Sequence, residues 1–408
     1  MNDNQHIPSG YKPSPLGIIP EDWEVKRIGD FGKIITGNTP PTEDADNYGD
    51  VYKFVSPADI SGNKYIEATE KHLSEKGFSI SRQMPKGTVL FTCIGSTIGK
   101  CAITKEALTS NQQINAIICD SKHSGEFLYY ELCHRSNRIK QIAGEQAVPI
   151  INKSTFESYK VLCPPFEEQK NIAEILSLWD TAIAKQTALI EQLTLRKRGL
   201  MQQLLTGKKR LKGFDGEWKE VRLGDVALVI GGGTPNTNIP DYWDGDIPWF
   251  TPSEIGENKY VNISKRTITE KGLNDSSAKI LPKGTILFTS RATIGAKAIL
   301  TTEATTNQGF QSLVVINGNN NEFIYYYLDI IINEIKQKAS GSTFPEVSAE
   351  SIRKTTIKIP NVTEQNAIAS VLVNADKEIE IQKQKLAAMQ EQKKGLMQVL
   401  LTGKKRIK

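Results

Sequence analysis

The chain has 408 residues, enough for two or three domains with cores of their own, and its 38% hydrophobic and 24% charged residues are ordinary for a globular protein. No run approaches the ~18 to 20 consecutive apolar residues of a membrane-spanning helix, and residues 1–18 form a polar, proline-bearing arm with no signal-peptide pattern, so a cytoplasmic protein without membrane contact is expected. The net charge of +5 is too small to dictate a polyanionic partner by itself.

After the arm, residues 19–165 alternate short β-type runs (88–92 and 116–119) with turn signals, and a helical stretch at 125–143 interrupts them. This predicts an α+β domain. Residues 166–212 then read differently. The stretch to 206 holds no proline and repeats a heptad seam of Ile172, Leu176, Trp179, Ile183, Gln186, Ile190, Leu193, Lys197, Leu200 and Leu204. Pro164-Pro165 with Glu167-Glu168 suits its start, and Gly207 sits where a left-handed glycine ends a helix.

The same programme then runs again. Residues 213–360 repeat the α+β pattern, with β-type runs at 285–289 and 313–316 and a helical stretch at 321–339. Residues 361–408 repeat the helix, with a seam of Ile368, Leu372, Ala375, Ile379, Gln382, Leu386, Met389, Lys393, Leu396 and Leu400. Asn361 and Glu364 have capping-box spacing, and Gly403 matches Gly207. Residues 199–212 and 395–408 agree at 12 of 14 positions. Trp23 matches Trp218, Thr39-Pro40 matches Thr234-Pro235, Thr97-Ile98-Gly99 matches Thr293-Ile294-Gly295, and Asn111-Gln112 matches Asn307-Gln308. The offset of 195 to 197 is far too long for a solenoid, so one domain-plus-helix is used twice.

Each seam exposed alone would leave a long apolar stripe in water. The two helices are therefore expected to pack on each other as an antiparallel coiled coil about 60 Å long, rather than each on its own domain. That places the globular heads at opposite ends about a pseudo-twofold axis. The basic residues lie with the helices: 166–212 and 361–408 each carry nine Lys+Arg against five Asp+Glu, leaving 33 basic and 36 acidic residues elsewhere. The tails Lys208-Lys209-Arg210-Lys212 and Lys404-Lys405-Arg406-Lys408 suit phosphate contact or an acidic partner surface, and equally a solvated helix end. Heads without a basic excess are expected to grip DNA weakly when alone.

Catalytic patterns are missing. The turn from Gly95 to Lys100 is one residue short of a phosphate loop, and its counterpart at 291–296 lacks both the first glycine and the lysine. Gly231-Gly232-Gly233 has no dinucleotide spacing. Cys163-Pro164-Pro165-Phe166 puts Cys where an amino-methyltransferase needs Asn or Asp, and reads as the turn into the helix. Cys93, Cys101, Cys119, Cys133 and Cys163 have no CxxC spacing and read as small core residues. His6, His72, His123 and His134 show no metal spacing. No catalytic residue, metal or cofactor is expected in this chain.

The opening Ile19-Pro20-Glu21-Asp22-Trp23, the Thr36-Gly37-Asn38-Thr39-Pro40 and Gly232-Gly233-Thr234-Pro235 loops, Pro164-Pro165-Phe166-Glu167-Glu168-Gln169 and the Leu-Leu-Thr-Gly-Lys-Lys-Arg ends together resemble the specificity subunit of type I restriction–modification systems. The resemblance covers nearly the whole chain. It implies two target-recognition domains on two conserved helices, reading a two-part, asymmetric site on double-stranded DNA. It also implies docking of two methyltransferase subunits, which use S-adenosylmethionine, and of restriction subunits. By residue type and paired position, Asn38, Thr39, Ser96 and Gln112 in the first domain and Thr234, Asn236, Arg291 and Gln308 in the second are the candidate base readers. Arg291 stands out, because a guanidinium can read guanine bidentately and Gly95 holds the aligned place. The competing reading is a protein-interaction scaffold that binds no DNA.

Overall fold

The computed structural model describes residues 7–144, 148–291, 293–340 and 345–407. Residues 1–6 of the arm, including His6, lie outside the described residues, as do Ala292 and the tail's Lys408. Contacts group the chain into two compact units, residues 1–187 with 385–408, and residues 188–384. Each unit combines one head, the beginning of the long helix that follows it and the end of the other long helix.

In the first unit, part of the arm is ordered as a hairpin of Tyr11–Ser14 against Gly17–Pro20. The strand Glu24–Arg27 then pairs antiparallel with Lys160–Cys163, so the head's first and last strands meet where the long helix departs. Between them lies a four-stranded antiparallel sheet in the order Gly32–Thr36, Ile114–Cys119, Val89–Thr92, Cys101–Ile103. A second small sheet holds Thr109–Ser110, Tyr52–Val55, Lys71–Leu73 and Tyr48–Gly49. Helix α1 (Gly125–Gln141) covers the main sheet. Ser124 caps it by accepting the Phe127 N–H at 3.3 Å, and its inward face buries Phe127, Leu128, Tyr130, Leu132 and Ile139. Each such side chain contributes about 1.5–3 kcal/mol by leaving water. The five cysteines are free, and Cys93, Cys101 and Cys163 are buried.

Helix α2 (Phe166–Leu204) follows directly from the Cys163-Pro164-Pro165 turn. In the second unit the plan recurs. Strand Lys219–Arg222 pairs with Thr356–Ile359, and a five-stranded sheet carries α3 (Asn321–Gln337), capped by Asn320 through the Phe323 N–H at 2.8 Å. Helix α4 (Val362–Leu400) follows.

Both long helices end as the glycines predict. Gly207 and Gly403 have φ of +69° and +71°, and the Lys209 and Lys405 N–H groups reach back to the carbonyls of Gln203 and Val399 at 3.1 and 3.0 Å. Within each unit the pairing is antiparallel, the start of one helix lying against the end of the other. All twenty seam positions are buried or half-buried. The expected choice between helix on helix and helix on head is resolved differently along the seam. Ile172 and Leu176 enter the first head's core together with Leu400 and Leu401, while Ile368 and Leu372 enter the second head's core with Met201, Leu204 and Leu205. The heads take the first two turns of the seam and the last one. Farther along, Lys393 pairs with Asp180 in the first unit, and Lys197 with Asp376 in the second.

These two polar seam positions are parts of a repeated network. Asp180 accepts from the Tyr130 hydroxyl, and Lys64 of the same head reaches Ser177 at 2.6 Å and pairs with Glu126. Asp376 accepts from Tyr326, while Lys259 bonds the Tyr326 hydroxyl at 2.6 Å and pairs with Glu322 at 2.6 Å. Each network joins one head and both helices, and burial of its tyrosines pushes their hydroxyls far above the ordinary range.

The tail arginines meet acidic side chains of the protein itself. Arg210 donates twice to Glu364, at 2.6 and 2.7 Å, and Arg406 donates twice to Glu168, both at 2.7 Å. Arg406 also grips Asp22 with two bonds at 2.8 and 2.7 Å. The capping box at the start of α4 is accordingly half made. Asn361 accepts the Glu364 N–H at 2.9 Å, but the Glu364 carboxylate turns to Arg210.

Candidate nucleic-acid interface

The candidate base readers sit on loops beyond the sheet ends, and close backbone approach brings several of them together. A Cβ added to Gly37 would stand 2.2 Å from the Asn111 carbonyl oxygen, and one on Gly232 would stand 2.1 Å from that of Asn307. Only glycine lets the two loops lie this close. The consequence is the same contact in both heads: Thr39 donates to the Gln112 amide oxygen at 2.8 Å, and Thr234 to that of Gln308. Thr39, Gln112 and Gln308 are exposed and Thr234 is partly so, leaving each Gln amide N–H₂ directed away from this bond as a donor.

Asn38 and Asn236 have a local task. The Asn38 side-chain oxygen accepts the Arg82 N–H at 2.7 Å, and that of Asn236 accepts the Asn238 N–H at 3.0 Å. Both shape the loops that carry the threonines. Ser96 is exposed on the turn closed by Lys100 N–H to Thr97 C=O, at 3.2 Å, and the Lys100 ammonium is spent on the Pro57 carbonyl at 3.1 Å. This turn adjoins the glutamine loop, since a Cβ on Gly95 would stand 3.7 Å from Gln113 Nε2. In the second head, Ser290 N–H donates to Gly309 C=O at 2.9 Å, setting Arg291 beside the Gln308 loop. Arg291 is partly exposed, and among the described residues nothing holds its guanidinium.

Three features escaped the sequence reading. Residues 148–151 and 345–347 flank the Ser96 and Arg291 turns: Gly95 N–H donates to Pro149 C=O at 2.9 Å, and Val347 N–H to Ser290 C=O at 3.0 Å. Gln113 bonds Asn111 at 2.9 Å and buttresses the glutamine loop. Asp59 accepts from both N–H and Oγ of Ser56 at 2.7 Å and from Glu70 N–H at 2.8 Å, bracing a recess that Thr39 and Gln112 also line. Glu254 does the same with Thr251, at 2.8 and 2.7 Å, and with Lys265 N–H at 2.6 Å. The S/T-x-x-D/E spacing of both pairs was the available signal. Among the described residues no group of His, Cys, Asp or Glu could hold a metal ion, and no helix is long and apolar enough to cross a membrane.

A duplicated α+β head, each copy followed by a long helix and presenting loops of threonine, glutamine and unlike neighbours, defines a two-domain recognition protein. The model of the type I restriction modification DNA specificity domain matches this chain twice, over residues 20–195 and 215–391, and the chain belongs to that family. It is 30% identical to the putative type I restriction enzyme MjaX specificity subunit of Methanocaldococcus jannaschii, covering 98% of this chain and 97% of that one. It is 42% identical to the MjaIX specificity subunit of the same organism over 41% of this chain and 40% of that relative. Among solved structures, a chain described under complex assembly and conformational transition of the type I R-M system shares the fold, with a TM-score of 0.64, 18% identity and coverage of 94% and 99%.

Proposed function

We propose that this chain is the sequence-reading subunit of a type I restriction–modification complex, each head reading one half of a two-part, asymmetric site on double-stranded DNA. The carrying observation is the same Thr–Gln contact in both heads, set among neighbours that differ: Gly95 and Ser96 in the first, Arg291 in the second. A shared frame lets both heads approach a duplex alike, while unlike loops read unlike bases.

The chain works in the cytoplasm and docks two methyltransferase subunits, which bring S-adenosylmethionine, and then restriction subunits. The heads have no basic excess, so these partners supply much of the phosphate grip. The deciding experiment compares adenine methylation across the genome with and without this gene. One two-part asymmetric motif should vanish with the gene; an unchanged methylome would sink the reading.

A further inference from the structure

In the second head, Arg291 and Glu346 face each other across an antiparallel bridge, fixed by the Val347 N–H to Ser290 C=O bond beside it. Directly opposed residues of this kind project to the same side with their Cβ atoms about 5 Å apart. Both are partly exposed, and among the described residues neither charged group has a hydrogen bond or ion pair. Both border the loop that carries Gln308, because Ser290 also donates to Gly309 C=O at 2.9 Å. In the first head the corresponding antiparallel bridge joins Ile94 to Ile150, both apolar and the latter 48% exposed, so the opposed charges belong to one head alone.

We infer that Arg291 and Glu346 together read a single G·C base pair in the half-site of the second head. In the major groove guanine offers two acceptors, O6 and N7, and its partner cytosine offers the N4 amino donor beside them. A guanidinium is a pure donor and a carboxylate a pure acceptor, and side by side they match that edge with one group per base. C·G and A·T set donor against donor and acceptor against acceptor here, and T·A leaves the guanidinium one acceptor, O4, with a methyl group where the second would be. In the first head, Ile150 opposite Ile94 offers neither match, so the two heads demand different bases here.

This assignment rests on the DNA-reading function proposed above, and the test separates the two. The full chain is assembled with its methyltransferase subunits, and binding is measured on duplexes carrying every base pair at every position of the wild-type methylation motif. In Arg291→Ala and in Glu346→Gln, the preference for G·C should fall on the order of 10-fold or more at one position, the same in both variants. Preferences in the other half-site should stay as they are. Relaxation at two different positions, or undiminished discrimination in Glu346→Gln, overturns the assignment. A wild-type complex with no two-part sequence preference overturns the proposed function instead.

Discussion

Arg406 holds Glu168 with two parallel hydrogen bonds of 2.7 Å, so that the end of one long helix is fastened to the start of the other. The Glu168 side chain is 5% exposed and receives a further bond from Trp23 Nε1 at 2.9 Å. Arg406→Ala leaves that buried carboxylate without its counter-charge and should cost about 3 kcal/mol. Chemical denaturation of the variant checks this; an unchanged midpoint would show that the clamp contributes nothing.

Asp376 and Lys197 should not behave as equal partners. Asp376→Ala leaves Lys197, 22% exposed, without its counter-charge and facing Lys259, which keeps only Glu322, and about 3 kcal/mol should be lost. Lys197→Met restores an apolar heptad position and leaves Asp376 its Tyr326 and Lys259 partners, so it should be close to neutral. Equal losses in the two variants, read from unfolding midpoints, would refute the asymmetry.

The two helix-ending glycines also separate. Both have positive φ, which costs a residue bearing Cβ about 1 kcal/mol. At Gly207 the new methyl would meet the Trp218 ring at 3.5 Å, an ordinary contact, whereas at Gly403 it would fall 2.5 Å from Pro20 Cδ. Gly207→Ala should therefore lower the melting temperature slightly and Gly403→Ala clearly more.

His134 makes stability depend on pH. Burial holds its imidazole below the ordinary value of 6.5, with the Glu131 carboxylate opposing and Arg135 and Arg138 adding to the effect. A histidine whose folded-state pKa is depressed contributes stability above 6.5, and that stability is lost as pH falls through the folded value. The stability difference between wild type and His134→Gln should thus shift against the wild type between about pH 7 and pH 5. A difference independent of pH in that window contradicts it.

Gln112 and Gln308 are exposed and carry no core packing. Replacing either with Ala should leave the stability within about 0.5 kcal/mol of wild type. Recognition should weaken by about 1–3 kcal/mol in one half of the target only, a different half for each variant. Sequencing of methylated motifs reads this directly, and simultaneous change in both halves would count against one head per half.

The duplication, the long helices and their end glycines were legible because they are written in local patterns: a repeated offset, a seven-residue spacing, a residue type demanded by positive φ. The strands Glu24–Arg27 and Lys160–Cys163 pair across more than a hundred residues, and nothing local marks them as partners. Arg406 looked like part of a solvated basic run because sequence gives no sign that Glu168 waits beneath it. The threonine–glutamine loops were found from their matched positions, but Glu346 and Ile150 were passed over for the opposite reason. They differ between copies, and a search for agreement discards the positions where the two heads part company.

The first head closes its core over Leu400 and Leu401, which the ribosome adds only after the whole second unit. That core must wait, incomplete, while all of the second unit (188–384) is being synthesised, although the second unit has its own segments at hand by then. Full burial of the first head therefore follows synthesis of the second unit. A chain cut short before residue 400 would leave the floor of that head uncovered and open to proteolysis.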